Sequence, residues 1–132
     1  MATRREARER ALGLCYEVEA RGLTADEVLE EQPAPPDAYA VTLVRGVDAH
    51  RDEIDALLAR YSQHWAVDRM PAVDRALLRI GTFELTWGDG LSPGVVINEA
   101  VELAQQYSTK DSGRFVNGLL SRVAEHVQDE AS

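Results

Sequence analysis

A single cysteine, Cys15, stands in the 132-residue chain, which excludes an internal disulfide and suits a reducing cytoplasm. No apolar run approaches the ~20 residues that span a bilayer. The N-terminus, Met1-Ala2-Thr3-Arg4-Arg5-Glu6, is charged but lacks the apolar stretch of a signal peptide. A cytoplasmic location follows as the expectation. Equally absent are a glycine-rich phosphate loop, a nucleophile elbow and a Ser-His-Asp order. His50, His64 and His126 share no ligand spacing with one another or with Cys15, so no metal site is expected. No cofactor motif appears, and the chain is not expected to be an enzyme.

Credible strands are also missing. Val95-Val96-Ile97 has a strand-like composition, but its pattern continues as a helix. Periodicity predicts an all-α fold of six to seven helices, arranged as two small packed subdomains within one domain. The N-terminal half covers about 3–61 and the C-terminal half about 66–127, with 128–132 expected to fray. Thr3-Arg4-Arg5-Glu6 and Thr24-Ala25-Asp26-Glu27 read as capping boxes, each opening a helix. Ala7, Ala11, Leu14, Cys15 and Val18 form the stripe of the first helix, and Gly22 ends it. Gln32-Pro33-Ala34-Pro35-Pro36 cannot continue a helix and is the clearest connector.

From Asp37 a long helical pattern carries Val41, Val44, Val47, Ile54, Leu57, Leu58 and Tyr61 inward, with Gly46 as the point of bending or division. Pro71 precedes an amphipathic segment with Val73, Ala76, Leu77, Ile80 and Phe83 inward, ended by the turn Trp87-Gly88-Asp89-Gly90. Ser92 is expected to cap, and Pro93 to open, a helix burying Val96, Ile97, Ala100, Val101, Ala104 and Tyr107. After a break at 108–113, Phe115, Val116, Leu119, Leu120, Val123 and Val127 line the last helix.

The net charge of −9 opposes a surface-wide nucleic-acid footprint, because phosphates repel an acidic face. Positive charge is local. Residues 1–10 carry four arginines against two glutamates, and Lys110 and Arg114 flank Asp111. At 100° per residue, Arg4 and Arg8 share one edge of the first stripe, while Arg5 and Tyr16 lie a little further round. Arginines beside an aromatic hold phosphates and stack a base. The second spot gathers hydroxyls, Lys110, Arg114 and Phe115 around a helix start, where free amides favour an anion; Asp111 or Ser112 would cap it. Asp68-Arg69 and Asp74-Arg75 read as local ion pairs and helix starts rather than acid–base machinery.

The segments Arg4-Arg5-Glu6-Ala7-Arg8-Glu9, Leu43-Val44-Arg45-Gly46-Val47 and Val73-Asp74-Arg75-Ala76-Leu77-Leu78-Arg79-Ile80 resemble the bacterial NusB family of transcription antitermination factors. Val96-Ile97-Asn98-Glu99-Ala100-Val101-Glu102-Leu103-Ala104 and Ser112-Gly113-Arg114-Phe115-Val116-Asn117-Gly118-Leu119-Leu120 extend the match, which runs in order from about residue 4 to residue 126. The resemblance implies an all-helical fold of two small bundles. It also implies a factor that binds boxA-type RNA with NusE, a small-subunit ribosomal protein, on ribosomal RNA operons. RNA polymerase and other antitermination factors would be indirect partners. The RNA candidates it implies are Arg4, Arg5, Arg8, Tyr16, Lys110, Asp111, Ser112, Arg114 and Phe115. Asp74 matches an acidic position facing NusE. The short N-terminus and acidic balance predict weak unaided RNA affinity. Two rivals stand beside this reading: a domain serving an RNA methyltransferase, unaccompanied by a cofactor motif, and a protein-only scaffold with little RNA binding. Homodimerisation is left open, with Leu12, Val73 or Trp87 as contacts.

Overall fold

The computed structural model describes residues 2–63 and 65–131 and is helical throughout its regular elements. In chain order they are α1 (Arg4–Arg21), α2 (Ala25–Glu30), α3 (Ala38–Ala49), α4 (Arg51–Tyr61), a single 3₁₀ turn (Val67–Arg69), α5 (Ala72–Trp87), α6 (Pro93–Tyr107) and α7 (Ser112–Ala131). No strand occurs among the described residues. Helix α7 runs through the segment expected to fray, as far as Ala131; Ser132 lies outside the described residues.

Local chemistry sets most boundaries. In both capping boxes the threonine oxygen accepts from the glutamate amide, at 3.0 Å for Thr3 and 3.1 Å for Thr24, and the glutamate reaches back to the threonine amide. Gly22 ends α1 in the left-handed region at φ 65°, where a side chain would be strained. Pro93 opens α6 at a position needing no amide donor, and Ser92 makes no side-chain cap there.

The long pattern after Asp37 breaks at His50, not at Gly46. Gly46 serves packing instead: a Cβ there would lie 2.2 Å from the Phe83 ring, so its absence lets α3 close onto α5. Phe83 in turn stacks with Trp87 at 5.9 Å, and Trp87 with His50 at 4.1 Å. That occupies His50, while His126 shares a 2.8 Å hydrogen bond with the Tyr61 hydroxyl. His64 lies outside the described residues.

Helix α5 is the centre of the molecule, touching α1, α3, α4, α6 and α7. One continuous apolar core, including Leu14, Val28, Leu43, Ile54, Leu78, Leu103 and Leu119, runs through both halves. Leu12 belongs to that core and is buried, so it offers nothing to a second copy of the chain. Tyr107, expected inside, is 47% exposed. Its position at the end of α6 lets the hydroxyl donate to Glu9 at 2.6 Å instead.

Charged side chains also join the elements. Glu19 of α1 accepts from Arg75 Nε at 2.9 Å, from Arg51 at 3.3 Å and from Arg79, whose other edge meets Asp55 in two 2.9 Å bonds. Arg75 also donates to the carbonyls of Val67 and Met70, at 3.2 and 2.7 Å, and so holds the connector before α5. Arg75 therefore pairs across the fold with Glu19, not with its neighbour Asp74. Burial opposes charge on Glu19, but hydrogen bonds from Arg75 and Arg79 outweigh it and pull its pKa down to about 2. Burial, against the pull of Arg79 and Arg51, pushes the Cys15 thiol up to about 12, which makes it an inert core residue.

Candidate nucleic-acid interface

The two basic spots are about a hundred residues apart in the chain, and both border α6 in the fold. From α1, Arg5 hydrogen-bonds Glu99 and Glu102 of α6. Tyr107, at the end of the same helix, reaches Glu9 of α1. On the other flank, Val101 and Gln105 wall a groove shared with Lys110, Asp111 and Arg114. Helix α6 is thus the strip connecting the spots. Neither Glu99 nor Glu102 was singled out from sequence, although their i, i+3 spacing places them on one helix face.

Tertiary structure treats the three N-terminal candidates differently. Arg4 is exposed and lays its guanidinium over the Tyr39 ring, 3.6 Å from the centroid. Arg5 is half-buried and engaged by the two carboxylates. Arg8 is 4% exposed. Its Nε and a terminal nitrogen donate to the buried Glu84 carboxylate at 3.0 and 2.8 Å, and the Tyr39 hydroxyl donates to the same group. Burial disfavours charge on Arg8, yet the bond to Glu84 prevails and its pKa is raised. Arg8 was expected on the surface beside Arg4; it points inward because α5 places an acid opposite it. As folded, it presents no cation to RNA. Tyr16 stays on the surface of α1, 48% exposed.

The second spot is built around the turn between α6 and α7. Ser112 is buried: the Thr109 amide donates to its hydroxyl at 3.2 Å, and that hydroxyl donates to Ser108 at 3.0 Å. Ser108 donates onward to Asp74 Oδ1. This relay ties the start of α7 to the start of α5. Lys110, Asp111 and Arg114 remain exposed around it, and Phe115 is half-buried.

Asp74 is only 1% exposed, so the acid carried over as partner-facing is not a surface group. Its Oδ2 is buried without a hydrogen-bond donor. Asp74 lines a cavity of about 500 Å³ together with Trp65, Asp111, Arg114, Phe115 and Arg122. Sequence reasoning passed over Trp65 and Arg122. Trp65 falls in the irregular connector between α4 and α5, where periodicity carries no signal, and Arg122 lies two turns beyond the basic segment.

Among the described residues, no three histidine, cysteine, aspartate or glutamate side chains gather as a metal site. No helix of the described residues is long and apolar enough to cross a membrane.

Comparison with known proteins places these features in a family context. The model of the NusB family matches residues 5–125. The transcription antitermination protein NusB of Kineococcus radiotolerans is 50% identical, with 95% of each chain covered. Among solved structures, NusB of T. maritima superimposes with a TM-score of 0.85 at 33% identity, covering 94% of this chain and 92% of that one. A further match, at TM-score 0.78 and 34% identity over 93% of this chain and 96% of the other, comes from a crystal structure of the antitermination factors NusB and NusE in complex with dsRNA.

Proposed function

The chain belongs to the NusB family, and from that premise we propose that it is a transcription antitermination factor that holds boxA-type single-stranded RNA jointly with NusE. It promotes full-length transcription of ribosomal RNA operons in the cytoplasm, contacting RNA polymerase and other antitermination factors through that complex. The role is assembly and not catalysis. Backbone charge and a few unstacked bases suffice to hold single-stranded RNA, and no covalent step is required.

The observation carrying this reading is the meeting of two remote basic spots on the flanks of α6. Arg4, Lys110 and Arg114 offer exposed cations, Arg5 a fourth once phosphate displaces its glutamates, and Tyr16 and Phe115 offer stacking surfaces. Asp111 and Ser112 position the turn between them. Arg8 contributes by holding α1 in place rather than by touching RNA. Asp74 serves NusE when a donor from that partner reaches its unpaired Oδ2.

The glutamates opposite Arg5 explain why the isolated chain should bind RNA weakly: a phosphate must compete with two carboxylates already in place. Each neutralised phosphate contributes a salt slope of about −0.7 in single-stranded binding, so three contacts give about −2. Titration of fluorescent boxA-type RNA at two salt concentrations, with and without equimolar NusE, tests the joint site. Tighter, sequence-selective binding with NusE is expected. Binding of NusE with RNA affinity no better than for a scrambled sequence would overturn it in favour of a protein-only scaffold.

A further inference from the structure

We propose that the cavity lined by Trp65 and Phe115 takes one unstacked nucleobase of single-stranded RNA, with Trp65 as its stacking platform. This occupant presupposes the RNA-binding role above and adds a base-binding position to it.

A lone exposed aromatic is ordinary and carries little. Trp65 is not alone. It is 43% exposed, and its ring meets Phe115 edge to face at 4.8 Å with an interplanar angle of 81°. Its backbone is fixed by Ser62, whose hydroxyl donates to the Trp65 carbonyl at 2.6 Å. Both rings line the cavity of about 500 Å³. That size falls within the ~300–1,000 Å³ typical of sites for small ligands, enough for one base.

Charge selects the occupant. Arg114 and Arg122 line the same cavity. Among the described residues Arg114 forms no ion pair, and Arg122 is oriented by donating from Nε to the Tyr61 carbonyl at 2.9 Å. Asp74 and Asp111 bring carboxylates to the cavity as well. A nucleotide suits that division: its phosphate lies toward the arginines, its ring against the exposed Trp65 ring, and its N–H edge toward Asp111. An apolar side chain from a protein would leave both arginines without anions. Aromatic platforms beside guanidinium groups are the general chemistry of single-strand recognition.

Tryptophan emission tests this directly. Trp87 packs against Phe83 and His50, so Trp87→Phe leaves Trp65 as the sole tryptophan of the chain. The W65F/W87F double variant supplies the tryptophan-free baseline. With NusE present, boxA-type RNA should quench the Trp65 emission. Trp65→Ala should weaken RNA binding on the order of tenfold, Trp65→Phe should restore most of it, and affinity for NusE should stay unchanged. Parental RNA affinity in W65A without quenching in W87F would overturn the base site while leaving the joint RNA-binding role intact. Quenching by NusE alone, with no further change when boxA-type RNA is added, would assign the cavity to protein and overturn it too. Failure of the parent to bind RNA even with NusE would remove both the role and the base site.

Discussion

Arg8 and Arg114 are the same residue type in segments chosen for the same reason, local excess of positive charge, yet they end in opposite surroundings. Arg8 is enclosed by Glu84 and Tyr39 and links α1 to α3 and α5. Arg114 projects from the start of α7 into the solvent around a cavity. Arg5, between these extremes, is held by two partly exposed glutamates that a phosphate can displace. The difference shows that availability of an arginine depends on the acid the fold sets opposite it. A buried pair serves the framework; an exposed cation serves the ligand.

The sharpest way to break this comparison is Arg8→Ala. It leaves the Glu84 carboxylate buried without its counter-charge, which should cost about 3–5 kcal/mol in urea unfolding. Replacing both partners with apolar residues of similar volume should recover much of that stability. A mere loss of RNA affinity, with stability intact, would return Arg8 to the RNA face.

Next comes the apolar junction beneath the same region. Gly46→Ala drives a methyl group into the Phe83 ring, with an expected cost of about 1–3 kcal/mol in thermal unfolding. A neutral result would mean that Phe83 and Trp87 repack freely.

Acid should act through Glu19. Its folded pKa, about 2, lies below the ordinary glutamate value of 4.5, so its contribution is present above pH 4.5 and is lost as pH falls toward 2. Partial exposure reduces the effect to about 1–2 kcal/mol. Stability at pH 7 minus that at pH 3 should therefore be smaller in Glu19→Gln than in the parent.

The smallest effect sharpens the comparison at Arg5. The double substitution E99Q/E102Q frees its guanidinium and should tighten RNA binding severalfold with a steeper salt dependence. Weaker binding would show that the α6 glutamates position Arg5 and do not compete with RNA.

Much of the fold was legible in the residues themselves. The capping boxes at Thr3 and Thr24, the stop at Gly22 and the proline start of α6 act within one turn, so local sequence is enough to see them. The division at His50 was missed because Gly46 looked like a break, whereas its role is contact with a ring on another helix. Both basic spots were visible as charge clusters. Their meeting along α6, the inward turn of Arg8 and the pairing of Arg75 with Glu19 were not, since each depends on a partner dozens of residues away. Trp65 escaped notice in a connector that has no helical period to read.

By itself, then, the sequence determined the helical segments, the caps at Thr3 and Thr24, the proline-rich connector and the family to which the chain belongs, because periodicity, capping and motifs are short-range properties. Only the tertiary structure decided which charges remain available, where the two basic spots meet, and that Trp65 and Phe115 share a cleft. Those outcomes depend on which carboxylate or ring the packing of α5, α6 and α7 brings within a few ångströms, a distance no local pattern encodes.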